Sequence, residues 1–242
     1  IMNKCLIFLI FLIPQMTYAQ HYVNKIIPFP FGNPNFKNIE YFNGKYVIPV
    51  VYPSDSSTLI VTDLNTETYY HYVDFVFSLS AMTIVDNEMY LYAKDRNFSN
   101  DLQFARLNND FTYNWKKEIH TAGDFNFPLS SISLGRNVFA TYIFETGNIR
   151  KFGIFNIKPD GTIKWNKVYD NNLKYATLWD LDSRNGNYIL GSYNVTYTND
   201  FNSSVRVIKI DTSGQEIWKS DTLRGVNDND DPVWMTELSD SN

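Results

Sequence analysis

Apolar residues in this chain fall in short runs with a two-residue alternation, and turn signals cut one run from the next. The runs Tyr46 to Tyr52, Met89 to Ala93, Val138 to Phe144 and Tyr188 to Tyr193 combine aromatic and β-branched residues. Each follows a turn signal: Asn43-Gly44, Asp86-Asn87, Gly135-Arg136-Asn137 and Asn185-Gly186-Asn187. An Asn-Gly pair between two apolar runs is a strong hairpin signal, because both residues tolerate positive φ. After a polar loop comes a second set of runs: Thr58 to Leu64, Leu102 to Leu107, Phe152 to Ile157 and Val205 to Ile210. In the last of these Val205 and Val207, with Ile208 and Ile210, read as inward, and Arg206 and Lys209 as outward. Period two in short runs predicts strands. No long segment carries a 3.6-residue apolar period, so the predicted helix content is near zero.

A longer phrase also recurs. Ile157, Gly161 and Trp165 have the same spacing as Ile210, Gly214 and Trp218. Leu107 keeps that eight-residue distance to Trp115, and Leu64 keeps it to Tyr72. The aromatic anchors Tyr72, Trp115, Trp165 and Trp218 are thus separated by 43, 50 and 53 residues. Gly161 and Gly214 stand at a tight turn before the last strand, where positive φ is needed. That turn sends the Trp toward a neighbouring unit, where a buried indole removes about 150–250 Å² from water. The gain has an upper bound of about 4–6 kcal/mol.

Four strands in each repeat of roughly 45–50 residues is the blade signature of a β-propeller. The expected fold is all-β, with about four four-stranded blades over residues 20–242. The units run over about residues 34–74, 75–124, 125–175 and 176–231, and residues 232–242 read as the start of a next blade. That last stretch resembles the openings of earlier units, so the expectation is a piece of a larger propeller.

The units resemble the tryptophan-docking repeats of quinoprotein-type propellers, and still more those of secreted bacterial β-propellers. Residues 185–219 match best and residues 137–167 well. Residues 87–116 depart, with Phe111 where the glycine should stand, and residues 43–72 depart further, with Tyr72 for Trp. The resemblance implies the fold and carries no catalytic residue across.

Met2 to Lys4 give a short positive start, Cys5 to Ile13 an apolar run, and Thr17 to Ala19 a small-residue end. Residues 1–19 therefore read as a secretory signal peptide, too short in its apolar part to span a bilayer. The expected location is extracellular or at the cell surface, with no stable membrane span once the leader is gone. Cys5 is the sole cysteine, so the remaining chain must be stable without disulfides. A formal charge of −5, with no basic run, gives no electrostatic footprint for nucleic acid.

The sequence offers little chemistry. None of His21, His71 and His120 has a metal-ligand spacing along the chain, and no cofactor or metal is expected. Asp228 to Asp231 lacks the glycine and glutamate of a helix-loop-helix calcium loop and reads as a polar turn. Asp180 and Asp182 share a strand face by period two and read as blade-end carboxylates bonded to backbone, the alternative being a carboxylate pair at the central channel. Tyr193, Tyr197 and Phe201, in or near a long polar loop, read first as core or cross-strand packing in so aromatic a chain, the alternative being stacking on a sugar or a protein partner. The leading expectation is a secreted, non-enzymatic scaffold for protein or glycan binding. The alternative is a propeller enzyme: a hydrolase, a lyase or a quinone-dependent dehydrogenase.

Overall fold

The structure is a computed structural model, and it describes residues 35–36, 39–51, 57–62, 68–71, 79–94, 101–121, 125–169, 175–183, 187–196 and 203–221. All regular structure among them is strand. The first sheet holds β1 (Asn35–Phe36), β2 (Glu40–Phe42), β3 (Lys45–Val51), β4 (Ser57–Thr62) and β5 (Thr68–His71). Both β1 and β2 pair with β3, so together they form one interrupted first strand. The second holds β6 (Leu79–Val85), β7 (Glu88–Lys94), β8 (Leu102–Leu107) and β9 (Tyr113–Ile119). The third holds β10 (Phe125–Leu134), β11 (Asn137–Thr146), β12 (Ile149–Ile157) and β13 (Ile163–Tyr169). The fourth holds β14 (Tyr175–Asp182), β15 (Tyr188–Thr196), β16 (Ser203–Asp211) and β17 (Glu216–Lys219). Each is an antiparallel meander, and a single parallel bridge, Arg150 to Tyr175, ties the third to the fourth.

The sheets stack face against face. Alternation along β7 sends Met89, Leu91 and Ala93 into a core shared with the first sheet, and Tyr90 and Tyr92 into one shared with the third. In β11, Val138, Ala140 and Tyr142 face the second sheet while Phe139 faces the fourth. Three apolar cores thus join four sheets, and both faces of the two middle sheets are dry. The first strand β10 lies against both β6 and β14, with the hydroxyls of Thr83 and Ser131 hydrogen-bonded between β6 and β10. Four-stranded meanders stacked in sequence with their first strands innermost make a β-propeller.

Strand limits follow the alternation closely, and one side-chain expectation changes. Val205, Val207, Ile208 and Ile210 cannot all point one way in a regular strand. Ile208 and Ile210 are fully buried against the third sheet, and Val205 and Val207 are half-buried on the opposite face. Tyr193 is no loop aromatic. It is fully buried in the core between the third and fourth sheets, its ring 4.9 Å from that of Phe152. Tyr197, Phe201 and Asp228 to Asp231 lie outside the described residues.

Candidate functional site

The turns before β9, β13 and β17 share one geometry. Asn108, Lys158 and Asp211 each donate N–H to the carbonyl four residues on, at Thr112, Thr162 and Gln215. Each also accepts, at its own carbonyl, the N–H of Phe111, Gly161 or Gly214. Those three residues have φ of 66°, 77° and 79°. Side-chain carboxylates brace the loops: Asp160 accepts the Thr162 N–H at 2.8 Å, and Asp211 accepts those of Ser213 and Gln215. The Ser213 hydroxyl, and then these backbone donors, hold the Asp211 carboxyl below the usual range.

The glycine turns receive the preceding sheet's Trp. A Cβ on Gly161 would lie 2.9 Å from the ring of Trp115, and one on Gly214 would lie 2.9 Å from the ring of Trp165. Each glycine therefore serves twice, by adopting positive φ and by leaving room for an indole. Trp165 Nε1 donates to the Thr212 carbonyl at 3.0 Å, Asn156 Nδ2 donates to the same oxygen at 3.2 Å, and the Tyr169 hydroxyl donates to the Gly214 carbonyl at 2.9 Å. At the equivalent place Lys117 Nζ donates to the Asp160 carbonyl at 2.6 Å, and Trp115 Nε1 is buried with no hydrogen-bond partner. Trp218 is 52% exposed. In the second sheet Phe111 fills the glycine position and packs its own ring edge-on against Phe42, centroids 6.1 Å apart. Tyr72 lies outside the described residues. Register places Tyr69 opposite Val61, the position that Trp115, Trp165 and Trp218 hold opposite Arg106, Asn156 and Lys209.

The same end of the third sheet carries a shallow, open cleft of about 430 Å³ lined by Arg136, Asn137, Lys158, Pro159, Asp160 and Lys164. Its floor consists of the two turns that join β10 to β11 and β12 to β13. Arg136 Nε is held 2.8 Å from Asp86 Oδ2 in the adjacent sheet's turn. Lys158 and Lys164 are exposed. The cleft is cationic on a chain whose net charge is negative. It suits an anionic group, with an amide at Asn137 for a hydroxyl and the Pro159 ring as a small apolar floor.

A second polar cluster lies on the outer edge of the second sheet. Glu118 and His120 stand two residues apart on one side of β9, and Asp101 stands across from them at the start of β8. His120 Nδ1 lies 2.8 Å from Asp101 Oδ1, and the hydrogen bond and charge of Asp101 raise the imidazole pKa. No chain-wise spacing around His120 reveals this cluster, because the ladder between β8 and β9 brings its partner in. Asp182 is half-buried, and by register Asp180 and Asp182 stand opposite Ser192 and Leu190.

No protein-family model matches the chain, and no curated protein matches it. Among solved structures, a puromycin hydrolase is similar over 80% of this chain, at 9% identity and a TM-score of 0.54. The match covers 32% of that protein, so the chain spans about a third of its length. A GH43 endo-arabinanase from Bacillus licheniformis is similar at 14% identity and TM-score 0.42, over 81% of this chain and 84% of that one. The Nup133 β-propeller domain of Vanderwaltozyma polyspora is similar at 14% identity and TM-score 0.43, over 84% and 67%. At 9% identity the likeness to the puromycin hydrolase speaks for the fold alone and leaves activity to the residues of the site.

Proposed function

We propose that this chain is a non-enzymatic binding scaffold that works at the cell exterior and recognises acidic glycans through the cleft on its third sheet. The cationic cleft carries the reading. Lys158 and Lys164 present mobile point charges to a carboxylate or sulfate, and Arg136 adds a guanidinium fixed by Asp86. Asn137 and Pro159 offer a sugar ring one polar and one apolar contact, and the open shape leaves room for a chain of sugar units. The cleft is built on tight turns braced by Asp160, so its cations are carried by a backbone that need not be ordered on binding. The leader-like residues 1–19 support an exterior location.

The test is binding of a uronic-acid oligosaccharide and of its neutral counterpart, measured by calorimetry at two salt concentrations. The acidic sugar should bind more tightly and lose affinity as salt rises. The Lys158→Ala/Lys164→Ala variant should lose about tenfold or more, since charge-assisted contacts contribute roughly 1.5–3 kcal/mol each. Equal binding of the neutral sugar, or an unaffected double variant, contradicts the reading. Tighter binding of an acidic peptide than of any sugar assigns the cleft to a protein partner instead.

A further inference from the structure

We propose that Asp101, Glu118 and His120 form a binding site for a divalent transition-metal ion of the zinc class. One ligand atom from each lies within 4.8 Å of the other two. The arrangement follows from the ladder. Leu102 pairs with Ile119 and Gln103 with Glu118, so one further step sets Asp101 against His120. Alternation puts Glu118 and His120 on the same side of β9, and the three side chains converge from two hydrogen-bonded strands.

The donor set is one imidazole nitrogen and two carboxylates, the mixed nitrogen and oxygen set that suits zinc and its neighbours better than calcium or magnesium. Metal bonds of about 2.0–2.2 Å require donors about 3–3.5 Å apart in tetrahedral or octahedral arrangements. His120 and Asp101 already stand at 2.8 Å, so an ion can enter between them with small movements. Asp101 is the fixed arm, its side chain 18% exposed, and His120 is the mobile one at 75%. Glu118 is also exposed. Three protein ligands leave the remaining positions to water. The site lies on the outer strand of the second sheet and shares no residue with the cationic cleft.

The experiment is titration of Zn²⁺ into the full chain by calorimetry, with Co²⁺ absorption as a second readout of imidazole coordination. One saturable site is expected, with Ca²⁺ and Mg²⁺ binding more weakly. His120→Ala and Glu118→Gln should each weaken Zn²⁺ by about tenfold or more and abolish the cobalt band. Both residues are exposed, so the variants should melt at the temperature of the parent. The cleft variant Lys158→Ala/Lys164→Ala should bind Zn²⁺ unchanged, which separates this site from the glycan reading. Zn²⁺ binding that survives His120→Ala places the ion elsewhere and overturns the proposal, as does the absence of any saturable heat.

Discussion

Trp165 and Trp218 occupy the same position in two sheets, yet their surroundings differ. Both stand on a last strand opposite a β-bulge, at Asn156/Ile157 and at Lys209/Ile210. Trp165 lies on Gly214, donates to Thr212 and joins the core of the third and fourth sheets. Trp218 is 52% exposed, and Ile217 beside it is 55% exposed. The motif therefore specifies a strand position and a direction, and burial is supplied by the turn of the next sheet. This is the quasi-one-dimensional logic of repeat proteins, in which each unit is stabilised through its neighbour.

The contrast sets the expected effects in order. Trp165→Ala should cost the most, about 3 kcal/mol in urea unfolding, and a cost equal to that of Trp218→Ala would break the distinction. Gly214→Val should cost about 2 kcal/mol, since it combines a strained positive φ with a clash on the indole. Trp165→Phe removes a hydrogen bond and Trp115→Phe removes an unpaired N–H. The first should therefore be worse by about 1 kcal/mol, and equal costs would show that the Thr212 contact contributes nothing. Trp218→Ala should stay within about 0.5 kcal/mol, as for surface positions generally. The smallest effect concerns pH. Asp211 has its folded pKa lowered by its hydrogen-bond donors, so its contribution is present above the usual carboxylate pKa and fades as pH falls through the lowered value. Asp211→Asn should flatten the acid limb of a pH–stability curve slightly.

The alternating runs locate the strands, and the run Leu102 to Leu107 is β8 itself, while β11, β12, β15 and β16 each extend two or three residues beyond their runs. The apolar runs are readable because neighbouring sheets share cores, which bury both faces of the two middle sheets. The Gly-to-Trp spacing is readable for a related reason, since only glycine accepts both the turn and the indole lying on it. The first unit is harder to align. An eight-residue spacing from Leu64 points to Tyr72, but the ladder from β4 to β5 runs from Thr62 without the bulge seen in the other sheets, which brings Tyr69 opposite Val61. Phe111 looks like a failed match in the sequence, while in the structure it keeps the positive φ of the turn and packs its ring edge-on against Phe42. Tyr193 ends the apolar run in the sequence because polar positions follow it, yet β15 continues to Thr196 in register with Ser203. The Asp101, Glu118 and His120 cluster was not legible at all, since strand pairing assembles it and no local spacing records it.

A double-mutant cycle on Trp165 and Gly214 probes the contact between sheets most directly, with stability measured for Trp165→Ala, Gly214→Val and the pair. If the indole rests on that turn, removing it relieves the valine clash, and the two changes should couple by about 1–2 kcal/mol. Strictly additive effects would mean that the ring and the turn do not touch, and the stacking of one sheet's anchor on the next would have to be abandoned.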